Sequence, residues 1–73
     1  MWRDEAAAKW QPWTGDVLQT ADETRTVTGI LMDGVGQPWV EYSAGGRSHI
    51  VSLSAWRRWS RQAEVLIVSQ EDL

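Results

Sequence analysis

The side chains of this chain best equipped to bind or react are the arginines interleaved with tryptophans in Ser54-Ala55-Trp56-Arg57-Arg58-Trp59-Ser60-Arg61, a single His49, and acids that occur in adjacent pairs. Arginine alternating with aromatic residues is the composition of a surface that holds nucleic acid or an acidic partner, through phosphate contacts and stacking. Histidine is the commonest general base and metal ligand, but His49 stands near Arg47 with no carboxylate at ligand spacing, so it reads as an exposed or satisfied side chain. The pairs Asp4-Glu5, Asp22-Glu23 and Glu71-Asp72 fall in terminal or turn settings, and neighbouring residues do not converge on one substrate as a general acid and base must. Ser52, Ser54 and Ser60 have no base beside them, and Asp33-Gly34-Val35-Gly36 lacks the lysine and hydroxyl residue that complete a phosphate loop. No catalytic residue, metal site or cofactor is expected, and with no cysteine there is neither a disulfide nor a thiolate site.

The element that carries the arginines divides them from the tryptophans. At about 100° per residue, a helical turn over residues 54–60, capped by Ser52 or Ser54, sets Trp56 and Trp59 on the side of Leu53 and Ala63, with Arg57, Arg58 and Arg61 opposite. Trp56 and Trp59 are therefore expected in the core. The arginines, together with Arg47, form a solvated face or a patch for an anion or an acidic partner. Residues 2–11 read as a short helix ended by Pro12, with Trp2, Ala6 and Trp10 as a narrow apolar face and Trp13 as the hinge. A helix under three turns is marginal alone, so that face must dock on the domain or on a partner. Strands are expected over residues 17–20, 24–32, 39–43, 47–52 and 65–69, with Gly45-Gly46 as a tight hairpin turn. Alternation along the third strand opposes Trp39, Glu41 and Ser43 to Val40, Tyr42 and Ala44. The second set is the apolar one, so Trp39 faces outward. Either the N-terminal helix covers it, or Trp39, Glu41, Trp2 and Trp10 are contacts for a partner.

A chain of 73 residues is one domain, and six tryptophans stand in for the missing disulfides and phenylalanines. It divides into an N-terminal helical arm (1–12), a β-rich body (13–69) and a polar tail (70–73). The net charge of −3 is unevenly spread: every residue from 42 to 63 is neutral or basic, and seven of the ten acids precede Tyr42. That balance argues against bulk coating of nucleic acid and leaves a local basic patch. No segment approaches the roughly 20 apolar residues of a membrane span and nothing has the form of a signal peptide, so a cytoplasmic setting without membrane contact is expected. The apolar fifth strand carries neither proline nor inward charge, which leaves homodimerisation through a sheet edge open.

Five short strands, a long second strand, a glycine hairpin between the third and fourth, and one helical turn before the fifth resemble the SH3-like small β-barrel over roughly residues 15–69. The implied class is mainly β: a five-stranded SH3-like small barrel with an N-terminal helix and a short helical turn before the last strand. Within it, Gly15-Asp16-Val17, the run from Thr26 to Ile30 and the run from His49 to Trp59 are similar to the plasmid-type dihydrofolate reductase, a barrel assembled as a tetramer around one pore. That family lines its pore with Val-Gln-Ile-Tyr; Ser48-His49-Ile50-Val51 here keeps only the isoleucine. A compact acidic domain without chemistry also resembles the accessory proteins of phages and mobile elements, among them anti-CRISPR inhibitors. The expected function is a non-enzymatic interaction module that blocks or bridges a larger protein or nucleoprotein complex. The alternatives are a nucleic-acid-binding barrel using Arg57, Arg58 and Arg61 and, last, a reductase-like tetramer.

Overall fold

Residues 2–70 are described by a computed structural model. Five antiparallel strands form one sheet: β1 (Val17–Gln19), β2 (Thr24–Met32), β3 (Pro38–Ala44), β4 (Arg47–Ser52) and β5 (Glu64–Ile67), in the order β4-β3-β2-β1-β5. Helices α1 (Glu5–Trp10) and α2 (Leu53–Ser60) precede β1 and β5. The first four strands meander, and α2 carries the chain back so that β5 pairs with β1. The mainly β class and the element order agree with the sequence. The expected closure into a barrel is not found, because β4 and β5 remain the two edges of an open sheet.

Local chemistry explains the hairpins. Gly45 and Gly46 both have positive φ (59° and 77°), the conformation a two-residue primed turn demands and only glycine adopts freely. With that turn fixed, Tyr42 pairs with His49 and Val40 with Val51. The register sends Val40 and Tyr42 into the core, beside Leu18, Val27, Trp56 and Ala63. The β2–β3 pairing shifts register between Val27 and Gly29, so β2 carries an extra residue there, a feature that sharpens strand twist.

Helix α2 starts as its sequence suggests, with the Ser52 hydroxyl accepting from the Ala55 amide at 3.1 Å. Trp56 is fully buried, while Trp59 packs against the core from a partly exposed position. The indole N–H of Trp56 donates to the carbonyl of Ala8 at 3.2 Å.

That last bond belongs to a set that corrects the expectation for α1. Trp2 lies outside the helix, Asp4 is its cap, and the side turned to the domain is marked by buried Ala8, not by Trp2, Ala6 and Trp10. A six-residue helix leaves its last carbonyls without partners. Here Trp56 donates to Ala8, Ser60 Oγ to Lys9 (3.2 Å), Arg57 Nε to Trp10 (2.8 Å) and Arg3 Nη2 to Gln11 (2.8 Å). Four side chains cap four consecutive carbonyls. Docking is thus by hydrogen bonds at the helix end, with a small residue where α1 meets α2, and the large indoles are left outside.

The arm is held to the sheet by a buried ion pair. Arg3 grips Asp16 through both guanidinium nitrogens, Nη1 to Oδ1 at 2.7 Å and Nη2 to Oδ2 at 2.8 Å. Asp16 also accepts from the amides of Ser69 (2.7 Å) and Trp13 (2.8 Å), and Arg3 Nη1 donates to the Ser69 carbonyl (2.7 Å). Gln70 completes the joint, its amide group pairing reciprocally with the backbone N–H and C=O of Arg3, both at 2.9 Å. Gln70, assigned to the tail from sequence, is therefore part of this joint; residues 71–73 lie outside the described residues. Gly15, with φ of 99°, lets the chain pass so close to Ser69 that an added Cβ would stand 3.1 Å from its Oγ.

Candidate functional site

The tripeptide Gln-Pro-Trp occurs twice, as Gln11-Pro12-Trp13 and Gln37-Pro38-Trp39, and the fold brings both copies to one surface. The first follows α1; the second opens β3. Between them lies an apolar cleft of about 470 Å³ bordered by Trp2, Trp13, Ile30, Pro38, Val40 and Leu53. Trp2 is 84 % exposed and Trp13 45 %. Pro38 and Leu53 also border a second, shallower pocket of about 260 Å³, which is lined further by Asp33, Trp39 and Arg57. The repeat was the available sequence signal for Trp13 and Pro38; periodicity misses it because the first copy follows a helix and the second opens a strand, so no single period spans both.

Trp39 is half-buried, not free. Its indole N–H donates to Asp33 Oδ2 at 3.0 Å, while Asp33 Oδ1 accepts from the amides of Val35 and Gln37, each at 2.9 Å. One carboxylate thus folds the β2–β3 loop and sets the indole. These donors, Trp39 first and then the loop amides, hold the Asp33 carboxyl below the usual aspartate value. Glu41 lies on the same face of β3, accepts from the Thr28 hydroxyl at 3.0 Å and is not among the residues bordering the cleft.

Trp10 and Arg57, assigned separately from sequence, come together. The guanidinium lies 3.9 Å from the Trp10 ring centroid while its Nε caps the Trp10 carbonyl. Arg57 is thus engaged with α1, whereas Arg58 is exposed on α2 and Arg61 at its C-terminal cap. Arg47 is exposed at the hairpin end of β4, and α2 begins at the strand's other end.

A second arginine is taken up inside. Arg25 lies 4.3 Å from the Tyr42 ring centroid and 4.0 Å from that of Trp59, and it holds Glu23 through Nε (3.0 Å) and Nη2 (3.1 Å). That hydrogen bonding holds the Glu23 carboxyl below the ordinary glutamate value, with His49 adding a smaller electrostatic effect. His49 stacks on the other side of this cluster, 5.2 Å from Tyr42. Among the described residues no three histidines or carboxylates converge as metal ligands would, and no helix is long and apolar enough to cross a membrane.

Comparison with protein-family models, with curated proteins and with solved structures finds no match for this chain.

Proposed function

We propose that this protein is a non-enzymatic interaction module, SH3-like in organisation, that seats an apolar segment of a larger protein or nucleoprotein complex in the cleft between its two Gln-Pro-Trp tripeptides. The observation that carries this reading is Trp2: an indole 84 % exposed to solvent at the wall of an apolar cleft, on an arm fixed by a buried ion pair. Exposed aromatic residues beside a preformed apolar groove are what anchors a partner, and rigid placement lowers the entropic cost of binding. The strand order, with β5 returned beside β1 after a short helix, supports the SH3-like reading of the sheet. The role assigned is that of an accessory protein of phages or mobile elements, anti-CRISPR inhibitors included, which acts by covering or bridging a surface.

Relative to the sequence reading, the weight moves from Trp39 and Glu41 to Trp2, Trp13 and Pro38, because Trp39 already spends its only donor on Asp33. Affinity capture from the native host with wild type, Trp39→Ala and the double variant Trp2→Ala with Trp13→Ala tests this. A partner retained by the first variant and lost from the second is the expected result; retention by both rejects the cleft.

The nucleic-acid reading keeps Arg58 and Arg61, which stand exposed on α2 and at its C-terminal cap. It requires oligonucleotide binding that weakens steeply with salt and falls on Arg58→Ala with Arg61→Ala; an absence of binding at low salt removes it.

A further inference from the structure

The chain supplies its own cations to three of its tryptophans, Arg25 also reaching Trp56 at 5.9 Å. Arg57 lies over Trp10 at 3.9 Å and Arg25 over Trp59 at 4.0 Å. Neither indole in the cleft, Trp2 or Trp13, has a cation of the described residues over its ring. The charges beside them are also unequal. Arg3 borders the cleft, but its guanidinium is buried and neutralised by Asp16. Asp4 borders it too, and its carboxylate is exposed, making one bond to the Ala7 amide as the cap of α1. In the adjoining pocket Asp33 is exposed, while the guanidinium of Arg57 is turned onto Trp10. Open indole faces, an exposed carboxylate with no ion pair among the described residues and an apolar floor are together complementary to a cation carried on an apolar stem.

Resting on the cleft as the binding surface, we infer that its partner is a basic segment of another protein, whose lysine or arginine sits beside Trp2, Trp13 and the carboxylate of Asp4 while adjoining apolar side chains enter over Pro38 and Leu53. Affinity then comes from apolar burial, and the choice of partner comes from charge. The aromatic groups tolerate either lysine or arginine. An acidic or phosphorylated segment is disfavoured by Asp4.

A library of displayed random dodecapeptides, selected on the wild-type protein and counter-selected on Trp2→Ala with Trp13→Ala, provides the test. Trp2→Ala alone, at an exposed position, serves as the counter-selector should the double variant melt early. Peptides that survive are synthesised and titrated against wild type and Asp4→Asn, which keeps a capping oxygen and removes the charge. The expected survivors carry lysine or arginine beside apolar residues and bind Asp4→Asn about two- to fivefold more weakly, with a flatter salt dependence. Survivors that are neutral or acidic, or that bind Asp4→Asn as well as wild type, overturn the basic-partner inference and leave the cleft as a binding site. A selection that yields no peptide dependent on Trp2 or Trp13 overturns the cleft itself.

Discussion

Arg3 and Asp16 meet through two parallel hydrogen bonds of 2.7 and 2.8 Å in a position where the Asp16 side chain has no solvent exposure. Every other polar contact of Asp16 named above is a backbone amide, from Trp13 and from Ser69, so one carboxylate joins the arm, the entry to β1 and the exit from β5. Removing one partner of a buried pair strands the other, at a cost of about 3–5 kcal/mol. Asp16→Ala is therefore expected to lower unfolding free energy in urea by about that amount. Arg3→Met should cost less, since Asp16 keeps two amide donors, and the double variant should be more stable than the sum of the single effects implies.

Gly15→Ala tests the close approach behind the same joint. At a φ of 99° an L side chain is strained, and at 3.1 Å the Ser69 side chain must give by a few tenths of an ångström to admit a Cβ. The expected loss is about 1–3 kcal/mol, seen as a lower thermal midpoint.

Arg25 closes one side of the core while keeping its charge paired. Arg25→Met keeps much of the stem but removes the contacts to Tyr42 and Trp59 and the bidentate grip on Glu23. We expect a loss of about 1–2 kcal/mol, with a change in near-ultraviolet circular dichroism from Trp56 and Trp59, whose rings lie 5.2 Å apart.

Two carboxylates give opposite kinds of pH signal. The folded-state pKa of Glu23 is depressed, so its stabilising contribution is present above the unfolded glutamate value of about 4.3 and is lost as pH falls through the folded pKa. Glu23→Gln should flatten the acid limb of the stability curve in that window. Asp33 is also depressed, but it sits on an exposed loop, so its protonation is expected to register locally. The indole N–H resonance of Trp39 should titrate with a midpoint below about 3.9, and Asp33→Asn should abolish that titration.

Trp2→Ala separates binding from folding. At 84 % exposure its removal should change stability by no more than about 0.5 kcal/mol, while partner capture is lost.

Much of the fold was legible because strand parity and turn chemistry are local. Val40 and Tyr42 face inward as alternation requires, Gly45-Gly46 makes the turn its composition suits, and Ser52 caps α2. Helical period likewise placed Trp56 inside. The arm was misread for a physical reason: on a helical wheel three tryptophan-flanked positions outweigh an alanine, yet α1 docks through carbonyls and needs a small residue, Ala8, at the contact. Hydrogen bonds of a backbone end have no side-chain signature. The Arg3–Asp16 pair and the Gln70–Arg3 link were hidden by separation, since partners 13 and 67 residues apart leave no periodic trace. The candidate site was half legible, through Trp2 as a partner contact, and half hidden in a tripeptide that repeats across two unlike elements.

The link between Gln70 and Arg3 also has a consequence in time. Part of what holds the arm, and so keeps Trp2 at the wall of the cleft, comes from Ser69 and Gln70, far along the chain from Arg3. During synthesis, at about 5–20 residues per second, the arm emerges first and waits several seconds for the residues that will hold it. The hairpins can form meanwhile, since β2, β3 and β4 need only their neighbours. The joint of Arg3 and Asp16 with Ser69 and Gln70 cannot be completed until the chain that follows β5 is in place. A chain lacking Ser69 and Gln70 is therefore expected to hold the arm, and Trp2 with it, less firmly.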